Sequence, residues 1–67
     1  MKKTLEQRYT LTYGGYRYDI FKKGNRDYRI YTDTKSYGYY QCATAGTLEG
    51  CRRMVKEWHK WRILHSE

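Results

Sequence analysis

The two cysteines and two histidines, Cys42, Cys51, His59 and His65, are the first candidates for nucleophile, general base or metal ligand. Zinc fingers place about two to four residues between paired cysteines, whereas eight separate Cys42 from Cys51. No metal is assigned. Cys51 falls on the apolar side of a helical pattern, so packing accounts for it, and without an export signal both thiols are expected reduced and half-buried. Both histidines lie in or beside the last helical segment, and His59 is expected exposed with no residue to orient it as a base. There is no Ser, His and Asp arrangement, no glycine-rich phosphate loop and no pair of acids in an apolar setting, and "YGGY" is too short to cradle a phosphate. No catalytic residue and no cofactor is assigned, and the chain is not expected to be an enzyme.

Binding chemistry is better represented. In "YRYDIFKK" and "RDYRIY" arginine alternates with tyrosine along strand-like segments. Guanidinium groups give charge-assisted hydrogen bonds to phosphate, and the rings beside them can stack on bases or fill a protein pocket. Fourteen Lys and Arg against seven Asp and Glu leave a net charge of +7, a surplus that favours polyanions or an acidic protein surface. Residues 1 to 35, with nine bases and four acids, carry +5 of it.

These groups must be positioned by a small scaffold. Sixty-seven residues make one domain (1–67), and besides Met1 only nine Ile, Leu, Val or Met side chains are present, so tyrosine and tryptophan must complete the core. An aromatic share of 18% argues against disorder. "MKKTLEQRYTLTYG" has no apolar run of signal-peptide length and no segment is long and apolar enough to span a membrane, so the expected location is cytoplasmic, with no membrane partner.

Strands come first and a helix last. "RYTLTY" alternates, with Tyr9, Leu11 and Tyr13 on one side, and a Gly14-Gly15 hairpin turn pairs these with Ile20, Tyr18 and Tyr16. The pattern predicts strands near 8–13, 16–22, 27–33 and 37–43 and a helix near 47–63. A loop at Gly24 to Arg26 sets Ile20 opposite Ile30 and Tyr18 opposite Thr32. The facing of the fourth strand stays open between Tyr37, Tyr39 and Gln41 inward or Tyr40 and Cys42 inward. Thr47 reads as the helix N-cap, with Glu49 at the positive end of the dipole; Gly50 marks either a close approach to the sheet or an unoptimised position. Leu48, Cys51, Met54, Val55, Trp58 and Trp61 form the inward arc, Arg52, Lys56, His59 and Lys60 face outward, and Arg62 and His65 complement the C-terminal dipole.

The resulting fold class is α+β, a three- to four-stranded antiparallel meander with one C-terminal helix on one face. One helix covers one side of such a sheet, so the other stays open, carrying Arg8, Thr10, Thr12, Arg17, Asp19, Phe21, Arg29 and Tyr31. Phe21 and Tyr31 are expected exposed there, among Arg17, Arg29 and Lys23.

Strands followed by "GTLEGCRRMVKEW" resemble small domains in which one C-terminal helix backs a three-stranded sheet. Examples are the ethylene-response-factor type of DNA-binding domain and the arm-binding domain of phage and conjugative-transposon integrases. The likeness spans roughly residues 16 to 61 and includes Thr47 and Glu49 opening the helix; the chain departs from it at Gly50, where the integrase type usually has Ala, and in an added first strand. The resemblance implies that Arg17, Arg29 and Tyr31 read DNA. In size and plan the chain also looks like phage-encoded inhibitors, including anti-CRISPR proteins, which act by covering a surface of a host or defence complex.

The first reading is therefore a basic binding protein of phage or mobile-element type that contacts nucleic acid, DNA ahead of RNA. Its contact residues are Arg8, Arg17, Phe21, Arg29 and Tyr31 on the sheet, with Lys2, Lys3, Lys22, Lys23, Arg52, Lys56 and Lys60 for phosphates. The alternative is a protein-directed inhibitor docking on an acidic or nucleic-acid-binding surface; a homodimer covering its own open face is the third.

Overall fold

The computed structural model describes residues 7–66. Four strands, β1 (Gln7–Tyr13), β2 (Tyr16–Gly24), β3 (Asp27–Thr34) and β4 (Gly38–Ala45), form one antiparallel sheet in chain order, and α1 (Leu48–Leu64) follows. The β1–β2 register is the one the glycine turn dictates, with Tyr13 opposite Tyr16, Leu11 opposite Tyr18 and Tyr9 opposite Ile20. Gly14 and Gly15 both adopt positive φ, +60° and +85°, as a two-residue turn matched to strand twist requires. Ile20 faces Ile30 and Tyr18 faces Thr32, as expected, with an irregularity between Lys22 and Gly24 ahead of an Asn25–Arg26 turn.

β4 resolves the open question of its facing through a bulge. Ile30 pairs with Ala43 but Tyr31 pairs with Gln41, leaving Cys42 as the extra residue. The alternation resets there. Tyr40, opposite Thr32, and Ala43, opposite Ile30, face the helix, while Tyr39 and Gln41 share the other side with Tyr31 and Asp33.

Thr47, in extended backbone, caps α1 by accepting the Gly50 N–H at 2.9 Å. A Cβ at Gly50 would stand 3.1 Å from that same hydroxyl and 3.4 Å from Ala45 Cβ, so glycine here answers a close approach. Tyr18, Ile20, Ile30, Cys51 and Val55 are the buried apolar residues, with Tyr9, Tyr16, Tyr28, Leu48 and Trp58 packed around them. Aromatic side chains complete the core, as the shortage of aliphatic ones requires.

The helix sits differently from the predicted arc. Arg62, expected at the surface near the C-terminus, is buried at 1% exposure. Its guanidinium lies 3.8 Å from the centroid of the Tyr16 ring and 4.9 Å from that of Trp58. It donates to the Tyr18 hydroxyl and Thr32 Oγ1, each at 3.2 Å, and to the Asp33 carbonyl at 2.6 Å. His59, expected outward, is half-buried: it meets the Tyr13 ring edge-on at 4.9 Å and places Nδ1 3.4 Å from the Tyr18 hydroxyl. Met54 and Trp61, expected inward, are 38% and 37% exposed. At about 100° per residue the buried stripe is turned by about 40° from the apolar arc. The physical reason is that the long Arg62 stem and the His59 ring reach further across a shallow, tyrosine-rich sheet than the sparse aliphatic residues can.

Candidate functional site

The uncovered side of the sheet carries a ring cluster. Phe21 on β2 meets Tyr31 on β3 edge-on at 5.4 Å between centroids, and Tyr31 stacks on Tyr39 of β4 at 5.4 Å with 14° between planes. Tyr31 donates to Gln41 Oε1 at 3.0 Å. Strand parity places every member on one face, and the stacking holds them there. Phe21 and Tyr31 were expected bare; they are half-buried because they pack on one another and because β4 brings Tyr39 alongside.

Cations border the cluster. The Arg8 guanidinium and the Lys23 ammonium each lie 5.9 Å from the Phe21 centroid. The Arg17 side chain is 69% exposed and pairs with Asp19 at 3.6 Å. Arg29 is clamped by Asp27 through two bonds of 3.2 and 3.0 Å, a fork that fixes its plane. Arg17, Arg29 and Tyr31 thus lie on the side away from α1, where parity put them.

Asp19 was expected as an open-face residue, and on that face it is nevertheless buried, at 6% exposure. The Tyr39 hydroxyl donates to its Oδ2 at 2.5 Å. Burial of the phenol's polar end, then the hydrogen bond and negative charge of Asp19, push Tyr39 up to about 12. Tyr39 and Asp19 therefore tie β4 to β2 across the intervening β3. Tyr39 and Gln41 are the site residues that sequence reasoning missed, because the bulge at Cys42 hid the facing of β4; a tyrosine repeat flanking one glycine carries no parity signal of its own.

The other predicted contacts do not join this face. Lys22 has the opposite parity and lies 5.8 Å from the Tyr28 centroid, at the margin of the helix side. Arg52, Lys56 and Lys60 are exposed on α1, which packs on the far side of the sheet. They lie across the sheet from the ring cluster, with Arg52 beside Thr10 and Leu11 of β1. Lys2 and Lys3 lie outside the described residues. Among the described residues no group of three His, Cys, Asp or Glu stands together as a metal set, and no helix is long and apolar enough to cross a membrane. Burial pushes the Cys42 thiol up to about 11 and raises Cys51 as well, so both are protonated and poorly nucleophilic at neutral pH.

Compared with known proteins, the chain matches no family model, no curated protein and no solved structure.

Proposed function

We propose that this chain is a small non-enzymatic binding protein that contacts nucleic acid, DNA ahead of RNA, through the uncovered face of its sheet. The observation that carries the reading is a cluster of three rings, Phe21, Tyr31 and Tyr39, bordered by Arg8, Arg17, Lys23 and Arg29 on a face that α1 does not shield. In such an interface the cations hold phosphates and set the register, while rings and hydrogen-bonding groups such as Gln41 meet the bases. The resemblance of its strand and helix order to sheet-reading DNA-binding domains is what puts DNA first. Phosphate contacts come from the sheet's own border, and the basic side of α1 faces away.

A second reading, a protein-directed inhibitor, is favoured by one observation: Asp19, Asp27 and Asp33 share the face and offset much of its charge. Mixed charge around tyrosine and arginine suits a protein hot spot.

Salt dependence separates the two. With three to four phosphates neutralised, log K for duplex DNA should fall with log salt at a slope of about −3, a loss of roughly sixtyfold between about 50 and 200 mM. Binding that is weak and insensitive to salt, on duplexes and single strands alike, would remove the nucleic-acid reading and leave the inhibitor.

A further inference from the structure

The rotation of α1 takes an arginine into the core and leaves a tryptophan and a methionine outside it. Those two do not stand alone. Met54 and Trp61, with Trp58 and Glu57, line one side of a cavity of about 390 Å³ whose other lining is Tyr37 and Tyr40. The tyrosines stack at 4.9 Å and the tryptophans lie tilted at 5.3 Å between centroids, so two ring pairs share one cleft. The Tyr37 turn is fixed from within: Thr34 Oγ1 accepts the Tyr37 N–H at 2.9 Å and donates to the Gly38 carbonyl at 3.0 Å. Large rings kept at the surface while a charge is buried go against ordinary burial preference, and such reversals point to a binding site.

The lining chemistry selects the ligand. Among the described residues Glu57 is the charged group that lines the cleft, so its rim offers a cation a carboxylate partner. Ring faces attract cations held within about 6 Å of their centroids, most strongly weakly hydrated ones. Trp58 already meets one cation from the core, since buried Arg62 lies 4.9 Å from its centroid. The 3.8 Å contact of Glu57 with Lys60 is an exposed i,i+3 pair, a type that is readily displaced. The geometry points to a second site, separate from the sheet face: an aromatic cage formed by Tyr37, Tyr40, Trp58 and Trp61 that takes a quaternary ammonium group, with Glu57 at its rim.

Trp58 and Trp61 are the chain's two tryptophans, so intrinsic fluorescence reports this cleft. The full chain is titrated at constant ionic strength with choline, with Nε-trimethyl-lysine, with the neutral isostere 3,3-dimethyl-1-butanol, and with AMP. Choline or trimethyl-lysine should quench or shift the emission saturably, with the isostere at least about fivefold weaker. The tighter of the two cations identifies the natural carrier of the group. Glu57→Gln and Tyr37→Leu, both at exposed positions, should weaken cation binding at least about threefold while circular dichroism stays unchanged. Equal affinity for the isostere, no response to either cation, or a tighter response to AMP would each overturn the site.

Discussion

Arg62 stands where the helix stripe calls for an aliphatic residue. On a wheel it lies about 20° from both Cys51 and Val55, so the position itself was legible in the sequence; its charge argued for the surface and won the reading. What the sequence could not supply was the receptor: the Tyr16 and Trp58 rings, two hydroxyls and the Asp33 carbonyl that converge on the guanidinium. Because arginine only donates, the Tyr18 oxygen accepts from it, and His59 Nδ1 lies 3.4 Å from the same hydroxyl. Replacing Arg62 by Ala opens a cavity and strands these acceptors, so it should cost about 3 kcal/mol or more, lowering the melting temperature by at least about 12 °C. Exposed Arg53→Ala should shift it by no more than about 3 °C. Equal small shifts would show that Arg62 is a surface residue after all. Tyr39 makes a pH prediction. Its folded pKa is raised above the phenol's ordinary value, so its share of stability is fully present below about pH 10 and is lost as pH rises through about 12. Ultraviolet titration of tyrosinate should show one phenol near that upper value that vanishes in Tyr39→Phe; an unchanged titration curve would deny the Asp19 bond.

At the scale of elements, the hairpin was readable because two independent signals agreed: the glycine turn and the alternation of Tyr9, Leu11 and Tyr13 imply one register. β2 and β3 also take the expected register at Ile20 and Ile30, although Gly24 pairs with Asp27 and the turn is Asn25–Arg26, not the three-residue loop expected at Gly24 to Arg26. β4 was not readable, since the bulge at Cys42 shifts the period midway and no residue type announces it. The glycine turn also has a tertiary role that its sequence conceals. A Cβ at Gly14 would stand 2.3 Å from the His59 ring, whereas one at Gly15 would meet open space. Gly15→Ala should therefore cost only the backbone strain of positive φ, about 1 to 2 kcal/mol, and Gly14→Ala at least about 1 kcal/mol more. In a His59→Ala background the two should become alike, a coupling that chemical denaturation of the double-mutant cycle measures. Absence of coupling would place His59 away from the turn.

For the whole molecule, topology divides what composition merged. A net charge of +7 reads as one basic surface in the sequence, but the sheet separates Arg8, Arg17, Lys23 and Arg29 from Arg52, Lys56 and Lys60 on the far side of α1. That separation turns the central claim into a comparison of two variants with similar charge change. Duplex DNA affinity at about 50 mM salt is measured for the native chain, for Arg17→Ala/Arg29→Ala and for Arg52→Ala/Lys56→Ala, with melting temperatures taken in parallel. The sheet-face pair should lose at least about tenfold in affinity and reduce the salt slope by about 2, with melting shifted by no more than about 6 °C because both arginine side chains are solvent-screened, at 69% and 41% exposure, and buried Asp19 keeps its bond from Tyr39. The helix pair should stay within about threefold of the native chain. Loss confined to the helix pair would contradict the account and move the contact to the opposite side of the molecule.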